Sequence, residues 1–441
     1  MHKITDFTVK VVQKYLPDAF ILATGLTFIV FAMGIFIADK GPVQMLNFWG
    51  KGFASLFKFG MQMTLVLLTG YTLALSPVVR RILEKVTDIP KTPRQALALT
   101  ALVSFIGCYF NWGFGLVIGA ILAREMGRKV KGLHFPVVVA AAYGGELIRG
   151  PSSSIPLVVA TPGNFMEKTI GHLVPVTDTL YSSWNLGLSV AILAALMFLY
   201  MNASPRPEDV VEFHAEAVSS NGDDGKPRSE MAFAERLEHS RWVLLALAIF
   251  PVGYLIANFS SNLRFNLNLN IVILIFLSLG LLLHKSPAAF LSAVKEAIVA
   301  TRGIVVQFPL YAGIAGMMGA SGLVAIISQW FTAISTPHTF PLMTFLSAGL
   351  VNIAIPSGGG QWAIQGPIMI QAAQATGADI AQTVMAFAWG DAWTNQIQPF
   401  WALPLLGVAG LSARDIMGYC ILWLALSGVL IAGTFVTLSM F

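Results

Sequence analysis

Charge is scarce in this sequence, and from Gly303 to Ala378 it vanishes: no Asp, Glu, Lys or Arg occurs there. Of the 441 residues only 11% are charged and 56% are hydrophobic, with a mean hydropathy of +0.72. Ordinary soluble domains carry about 25% charged residues. A soluble globular protein is thereby excluded, and a polytopic membrane protein is indicated. Cysteine is nearly absent: Cys108 and Cys420 both lie in apolar segments and read as small buried hydrophobes, so there is no disulfide framework. No nucleotide-binding motif occurs, which argues against ATP drive. His284 and His338 stand singly near the ends of apolar stretches, without partners at metal spacing, and read as surface residues. The net charge of +5 suits Lys- and Arg-rich cytoplasmic loops. No basic patch with interleaved aromatics points to nucleic acid.

What the sequence does have is long apolar segments. Spanning helices need about 20 apolar residues, and the candidates are 19–38, 59–79, 135–160, 183–201, 242–258, 268–283, 303–329, 381–405 and 415–439. The first follows a weakly basic stretch (Lys3, Lys10, Lys14) and has no small-residue cleavage pattern after it, so it reads as a helix rather than a signal peptide. The one long polar stretch, 202–240, reads as a flexible linker. The stretches 40–58 and 284–302 space basic residues among apolar ones. They read either as amphipathic interfacial helices or as short loops with snorkelling lysines.

Two further apolar segments, 95–123 and 339–374, are each interrupted by a Gly-rich, Trp-containing knot. The first reads Asn111-Trp112-Gly113-Phe-Gly115, the second Pro356-Ser357-Gly358-Gly359-Gly360-Gln361-Trp362. Basic residues flank the first segment at both ends (Arg80, Arg81, Lys85, Lys91 and Arg94; Arg124, Arg128, Lys129 and Lys131). By the positive-inside rule both ends are cytoplasmic, so the segment enters and returns. The second segment has no basic marker and is expected to enter from the opposite face. Sequence echoes in order support a duplication: Lys40-Gly41-Pro42 with Lys285-Ser286-Pro287, and Ala142-Tyr143-Gly144 with Ala388-Trp389-Gly390. The expected fold is an all-α polytopic membrane protein. It has inverted repeats, about nine transmembrane helices and two opposed re-entrant hairpins, with a cytoplasmic N-terminus. Its parts are a first repeat (1–201), a cytoplasmic linker with a connecting helix (202–267) and a second repeat (268–441).

Irregular backbone at membrane depth survives only where it is buried in protein or lines a cavity. Successive N–H groups at Ser357, Gly358, Gly359 and Gly360, followed by a helix starting near Gln361, can hold a small carboxylate. Turn carbonyls and the Ser357 hydroxyl can instead ligate a cation such as sodium. Close packing through small residues is the alternative, and it weighs more heavily at Asn111, Gly113 and Gly115. The segments after the hairpins carry polar groups around apparent breaks: Ser152, Ser153 and Ser154 in one, Thr394, Asn395 and Gln398 in the other. Glu146 and Asp391 hold matching places and read as proton carriers or cation ligands. Arg149 pairs either with a substrate carboxylate or with Glu146 at i and i+3. Trp362, Trp389, Trp393 and Trp401 read as pocket walls or as packing. Thr161-Pro162-Gly163-Asn164 reads as the start of an external loop.

The stretches Phe59-Gly-Met-Gln-Met63, Asn111-Trp-Gly-Phe-Gly-Leu-Val117, Ala160-Thr-Pro-Gly-Asn164, Leu281-Leu-Leu-His-Lys285, Pro356-Ser-Gly-Gly-Gly360, Gln398-Pro-Phe-Trp-Ala-Leu-Pro404 and Arg414-Asp-Ile-Met-Gly-Tyr-Cys420 resemble the bacterial short-chain fatty acid uptake transporters, the acetoacetate and butyrate permease family. The resemblance runs end to end. It implies a secondary transporter of the bacterial inner membrane, within an ion transporter superfamily that includes sodium-coupled dicarboxylate carriers. It further implies a scaffold with a moving transport domain, elevator-type movement, a homodimer and cation coupling. The superfamily's Ser-Asn-Thr hairpin signature is absent here, so no sodium ligand is carried over. The expected function is cation-coupled transport of small monocarboxylates in a lipid membrane, with a sodium ion or proton as coupling ion and no other cofactor. The alternatives are a passive organic-anion channel or an intramembrane hydrolase using Glu146 and Asp391. For a serine nucleophile at Ser357, no suitable His or Lys base lies in a span.

Overall fold

The computed structural model describes residues 19–55, 57–110, 112–151, 153–164, 166–203, 205, 207–213, 231–261, 269–356 and 358–440. Asn111, Ser152 and Ser357, and most of the linker, lie outside the described residues. Every regular element among the described residues is helical.

In the first half, α1 (Ala19–Phe36) and α2 (Pro42–Phe53) lead to α3 (Phe57–Ala74) and α4 (Pro77–Thr87). α4 starts on Pro77, and the Ser76 hydroxyl accepts from the Val79 N–H, two devices that open a helix sharply. α5 (Pro93–Phe110) and α6 (Trp112–Lys129) form the first hairpin. Their backbones touch at the top, where a Cβ on Gly115 would stand 2.2 Å from the Cys108 nitrogen. α7 (Phe135–Gly144) runs into a 3-10 turn (Gly145–Leu147), then an irregular stretch, then the short α8 (Ser154–Val159). α9 (Glu167–Ile170) and α10 (Ser183–Met201) complete this half.

After the linker come α11 (Phe233–Glu238), α12 (Arg241–Ser261), α13 (Leu269–Leu283) and α14 (Pro287–Ala300). α2 and α14, which begin at the echoed prolines Pro42 and Pro287, are both helices rather than loops. α15 (Arg302–Ser321) and α16 (Leu323–Ala333) meet at 64°. Their junction is Gly322 at φ 87°, a left-handed residue that ends a helix without Cβ strain, so the apolar stretch 303–329 is a bent pair and not one straight helix. α17 (Phe340–Asn352) and α18 (Gly358–Thr376) form the second hairpin. α19 (Ile380–Asn395) is capped by Asp379, which accepts from the Gln382 N–H at 2.7 Å. α20 (Pro399–Ala409) and α21 (Ala413–Leu438) close the chain.

Three described helices are long and apolar enough to cross a membrane alone: Ser183–Met201, Arg241–Ser260 and Ala413–Leu438. Gly60–Ala74 with Pro77–Thr87, and Val305–Ser321 with Leu323–Ala333, reach that length as bent pairs. The other apolar segments are shorter helices, among them Phe135–Leu147, Phe340–Asn352 and Pro399–Ala409. The largest apolar cluster joins α5, α6, α7, α10 and α21 to α19 and α20. A second cluster seats Ile155 and Val159 of α8 against Trp362 and Met369 of α18 and Phe387 of α19. His284 is buried rather than at the surface. It sits just past α13, its Nδ1–H donates to the Gly280 carbonyl at 2.8 Å, and its ring packs edge-on against Phe290.

Candidate functional site

Each hairpin grips the broken helix that follows it, and small residues permit the approach. In the first half a Cβ on Gly145 would meet the Phe105 nitrogen at 2.7 Å, and one on Gly150 the Tyr109 carbonyl at 2.3 Å. Ser104 Oγ donates to the Ala142 carbonyl. In the second half a Cβ on Gly390 would stand 2.2 Å from the Phe345 carbonyl oxygen. Asn352 Nδ2 donates to Thr394 Oγ1 (3.0 Å) and Asn395 Oδ1 (2.6 Å), and Gln398 Nε2 donates to the Ile353 carbonyl at 2.8 Å. Gly145 and Gly390 do the same work, each letting a broken helix approach the backbone of its hairpin.

The breaks themselves meet. Helix α7 stops at Gly144 and, past the 3-10 turn, α-helix resumes at Ser154; α19 stops at Asn395 and α20 starts at Pro399. Tyr143 Oη donates to the Asn395 carbonyl, and Gln396 Nε2 donates to Glu146 Oε2 at 3.1 Å. Arg149 Nη2 reaches Glu146 Oε1 at 3.1 Å and the Glu146 carbonyl at 2.7 Å, and its Nε donates to the Leu147 carbonyl at 3.2 Å. Of the two sequence readings of Arg149, the structure thus displays pairing with Glu146. The guanidinium stitches the break together, and both of its partners are internal to the chain.

Asp391 is only 3% exposed, and its Oδ1 has no hydrogen-bond partner. Its other oxygen lies against the start of α18: an ideal Cβ on Gly358 would be 3.0 Å from Asp391 Oδ2 and 3.4 Å from Ser154 Oγ. The same point on Gly359 meets only Ser154 Oγ, at 3.9 Å. Ser154 and Gly359 are exposed, whereas Glu146 and Asp391 are buried. The cluster is therefore a buried charged floor beneath an accessible rim.

The predicted site residues separate into two groups. Ser154, Gly358, Gly359, Asp391, Glu146 and Arg149 converge as described. Thr394, Asn395, Gln398 and Gln361 each give at least one polar atom to contacts with or within the second hairpin, while Gln361 Oε1 has no partner. Thr394 Oγ1 donates to the Gly349 carbonyl at 2.8 Å, and Gln361 Nε2 donates to the Ala348 carbonyl (2.8 Å) and to Gln365 Oε1 (2.9 Å). Ser153 is buried at the start of α8, and its N–H donates to the Gly150 carbonyl. Gly360 follows its two neighbours in the first turn of α18.

Trp112 and Gly113 lie beside α20. Trp112 packs edge-on against Trp401 of α20 at 4.9 Å, and with Gly113 it borders an apolar cavity of about 10 Å³ shared with Val66, Leu67 and Pro404. That is room for roughly one water molecule. The tips are thus crossed: the first meets the helix after the second break, and the second meets the helix after the first break. Trp362, Trp389 and Trp393 are packing residues: Trp362 packs on Phe387, Trp389 Nε1 donates to Asn185 Oδ1 at 2.9 Å, and Trp393 Nε1 donates to the Leu424 carbonyl at 2.7 Å. At the 161–164 turn Gly163 N–H donates to Glu167 Oε2, and the turn is exposed.

Sequence reading missed Asn352 and Asn185 as binding partners. Asn352 sits beside a predicted break, a position that would have flagged it. Asn185 had no local signal, because its partner is 204 residues away. Of the two carboxylates, Glu146 is bonded to Arg149 and Gln396.

A sequence model of the short chain fatty acid transporter family matches residues 1–438. A putative short-chain fatty acid transporter of Escherichia coli K12 is 44% identical over 431 residues, covering 97% of this chain and 98% of that protein. One from Haemophilus influenzae Rd is 40% identical over 427 residues, covering 95% of each. Among solved structures, the crystal structure of the Alcanivorax borkumensis YdaH transporter, described as having an unusual topology, aligns over 96% of this chain and 98% of its own with a TM-score of 0.45 and 15% identity. Matched along nearly its whole length, the chain belongs to the short chain fatty acid transporter family.

Proposed function

We propose that this protein is a secondary active transporter of small monocarboxylates, such as short-chain fatty acids or acetoacetate. The observation that carries the reading is the convergence of two broken helices and the second hairpin tip on one buried charged cluster with an accessible rim at Ser154 and Gly359. Helix ends and unwound backbone of this kind are tolerated in a membrane where they line a substrate path. The α18 N-terminus at Gly358 offers backbone donors and the positive end of the helix dipole to a carboxylate. The Ser154 hydroxyl stands beside it.

In this proposal α5–α6 and α17–α18 are re-entrant hairpins entering from opposite faces of the bacterial inner membrane. The two halves form inverted repeats, with about nine spans, a cytoplasmic N-terminus and a homodimeric assembly. The site is carried across the membrane in elevator fashion, coupled to a cation. The test is uptake of labelled acetoacetate or butyrate into proteoliposomes under imposed proton or sodium gradients, with protein-free vesicles subtracted. Absence of protein-dependent uptake under both gradients refutes the proposal. Gly359→Leu, which fills the rim, is expected to abolish uptake while the protein still elutes as a folded species.

A further inference from the structure

Two carboxylates and one guanidinium share the buried floor of the site. Glu146 is satisfied by Arg149 and Gln396. Arg149 is the charged neighbour of Asp391 as well, and Glu146 and Asp391 feel each other. One negative charge is therefore in excess, and it falls on Asp391, whose Oδ1 is buried without any donor. Burial without a donor disfavours the ionised carboxylate.

Among the described residues packed on α19, no other charge answers it. The elements packed on α19 include α8, α17, α18 and α20, none of which holds an Asp, Glu, Lys, Arg or His. The ionisable groups at the start of α21, Arg414 and Asp415, precede the stretch that touches α19, where Trp393 packs on Gly428 and bonds to Leu424. Cys108 and Tyr143 border Glu146 and carry no positive charge.

Asp391 is also in the way. Its Oδ2 lies where a Cβ of Gly358 would be nearly in contact, at the same helix start that is to receive the substrate carboxylate. Two carboxylates at one helix N-terminus repel each other, and one of them must be neutral. A metal cation is a poor neutraliser at this spot, because the N–H groups of a helix start repel positive charge. A proton placed on the carboxyl itself meets no such objection.

Resting on the transport reading above, we propose that Asp391 is an internal occupant of the anion-receiving hairpin tip and must take up a proton before the substrate carboxylate binds. Proton entry then precedes anion entry, and the two cross together. The proton comes from the aqueous phase on the loading side, forms the O–H bond of the Asp391 carboxylic acid, and returns to water on the far side after the anion leaves. An empty site with Asp391 ionised restores the contact with Gly358, which closes the tip against a leak of the anion alone.

Two measurements test this. The first needs no substrate: infrared difference spectra of the purified protein across a pH titration should contain a protonated-carboxyl band that persists in Glu146→Gln and is lost in Asp391→Asn. The second is calorimetric titration of acetoacetate in buffers of different ionisation enthalpy. Above neutral pH the wild type should take up one proton per anion bound, and Asp391→Asn none. Should Asp391→Asn fail to fold, Gly358→Ala takes its place, since its methyl, 3.0 Å from Oδ2, should shift the band. No band assignable to Asp391, binding without proton uptake, or sodium-dependent and pH-independent binding would each overturn the proposal. If neither acetoacetate nor butyrate binds at any pH, the transport reading fails, and the infrared titration still decides whether Asp391 holds the proton.

Discussion

Gly390→Ala is the sharpest structural perturbation available, because what it meets is backbone. A Cβ at this position would lie 2.2 Å from the Phe345 carbonyl oxygen and 3.0 Å from the Ala348 Cβ. An ordinary carbon–oxygen contact is more than an ångström longer, and a carbonyl in the middle of α17 cannot rotate away without breaking its helix. Helix α17 as a whole must therefore retreat from α19. Overpacking of this kind costs about 1–3 kcal/mol and occasionally more. The retreat also strains the bonds from Asn352 to Thr394 and Asn395 that tie the hairpin to the break.

Gly359→Ala is the matched control. Its Cβ would meet only Ser154 Oγ, at 3.9 Å, and no positive φ is recorded at Gly359. Removing a glycine from a helix is neutral or favourable by up to about 1 kcal/mol. Heating the detergent-purified variants and measuring the fraction that remains monodisperse should show Gly390→Ala clearly less stable than wild type, and Gly359→Ala equal to it or better. Transport by Gly359→Ala should still be impaired, because the methyl projects into the rim. If Gly390→Ala is as stable as wild type, the close-packing account of the hairpin–break contact is refuted. Equal loss of stability in both variants would assign the glycine run to packing alone.

Arg149→Ala leaves Glu146 buried without its counter-ion and should destabilise the protein by about 3–5 kcal/mol; adding Glu146→Gln should recover part of that loss in the same melting assay. Trp389→Phe removes the donor to the buried Asn185 Oδ1 and should cost about 1–3 kcal/mol, whereas Trp389→Phe with Asn185→Leu should be milder than the single change. His134, at the entrance to α7, accepts the Val211 N–H on Nδ1 and meets Tyr419 Oη on Nε2, so it is held neutral; burial pushes it down to about 4. The unfolded chain takes a proton on this histidine near its ordinary value of about 6.5, so stability from this site is complete above that pH and is lost as pH falls toward 4. Melting temperature should fall over that window in wild type and less so in His134→Gln; equal pH slopes would refute the assignment.

Much of the architecture was legible from local chemistry. The starts of α4, α14 and α20 follow from Ser or Gln caps next to proline, and the two breaks follow from runs of Gly, Pro and polar residues. The bend at Gly322 was missed, because the apolar run passes through it unchanged and only a left-handed glycine marks it. The surface reading of His284 failed for a similar reason: nothing in the sequence reveals that its ring folds back onto the last turn of α13. The polar residues beside the breaks were visible by type and approximate place, and which of them bond to the hairpin was not. Thr394, Asn395, Gln398 and Gln361 look the same as Ser154 and Asp391 when read as polar groups beside a break.

The sequence alone determined that the chain is a membrane protein, that its apolar segments are helical, and that helices end at the Gly-, Pro- and polar-rich runs. Those outcomes depend on composition and on interactions within a few residues, where propensity and capping act. Only the tertiary structure decided that Glu146 is paired while Asp391 Oδ1 is left without a hydrogen-bond partner, and that Asp391 Oδ2 faces the side of Gly358 where a Cβ would stand. Those contacts join residues separated by long stretches of chain, and their geometry depends on how closely glycines let helix backbones approach, which no local pattern encodes.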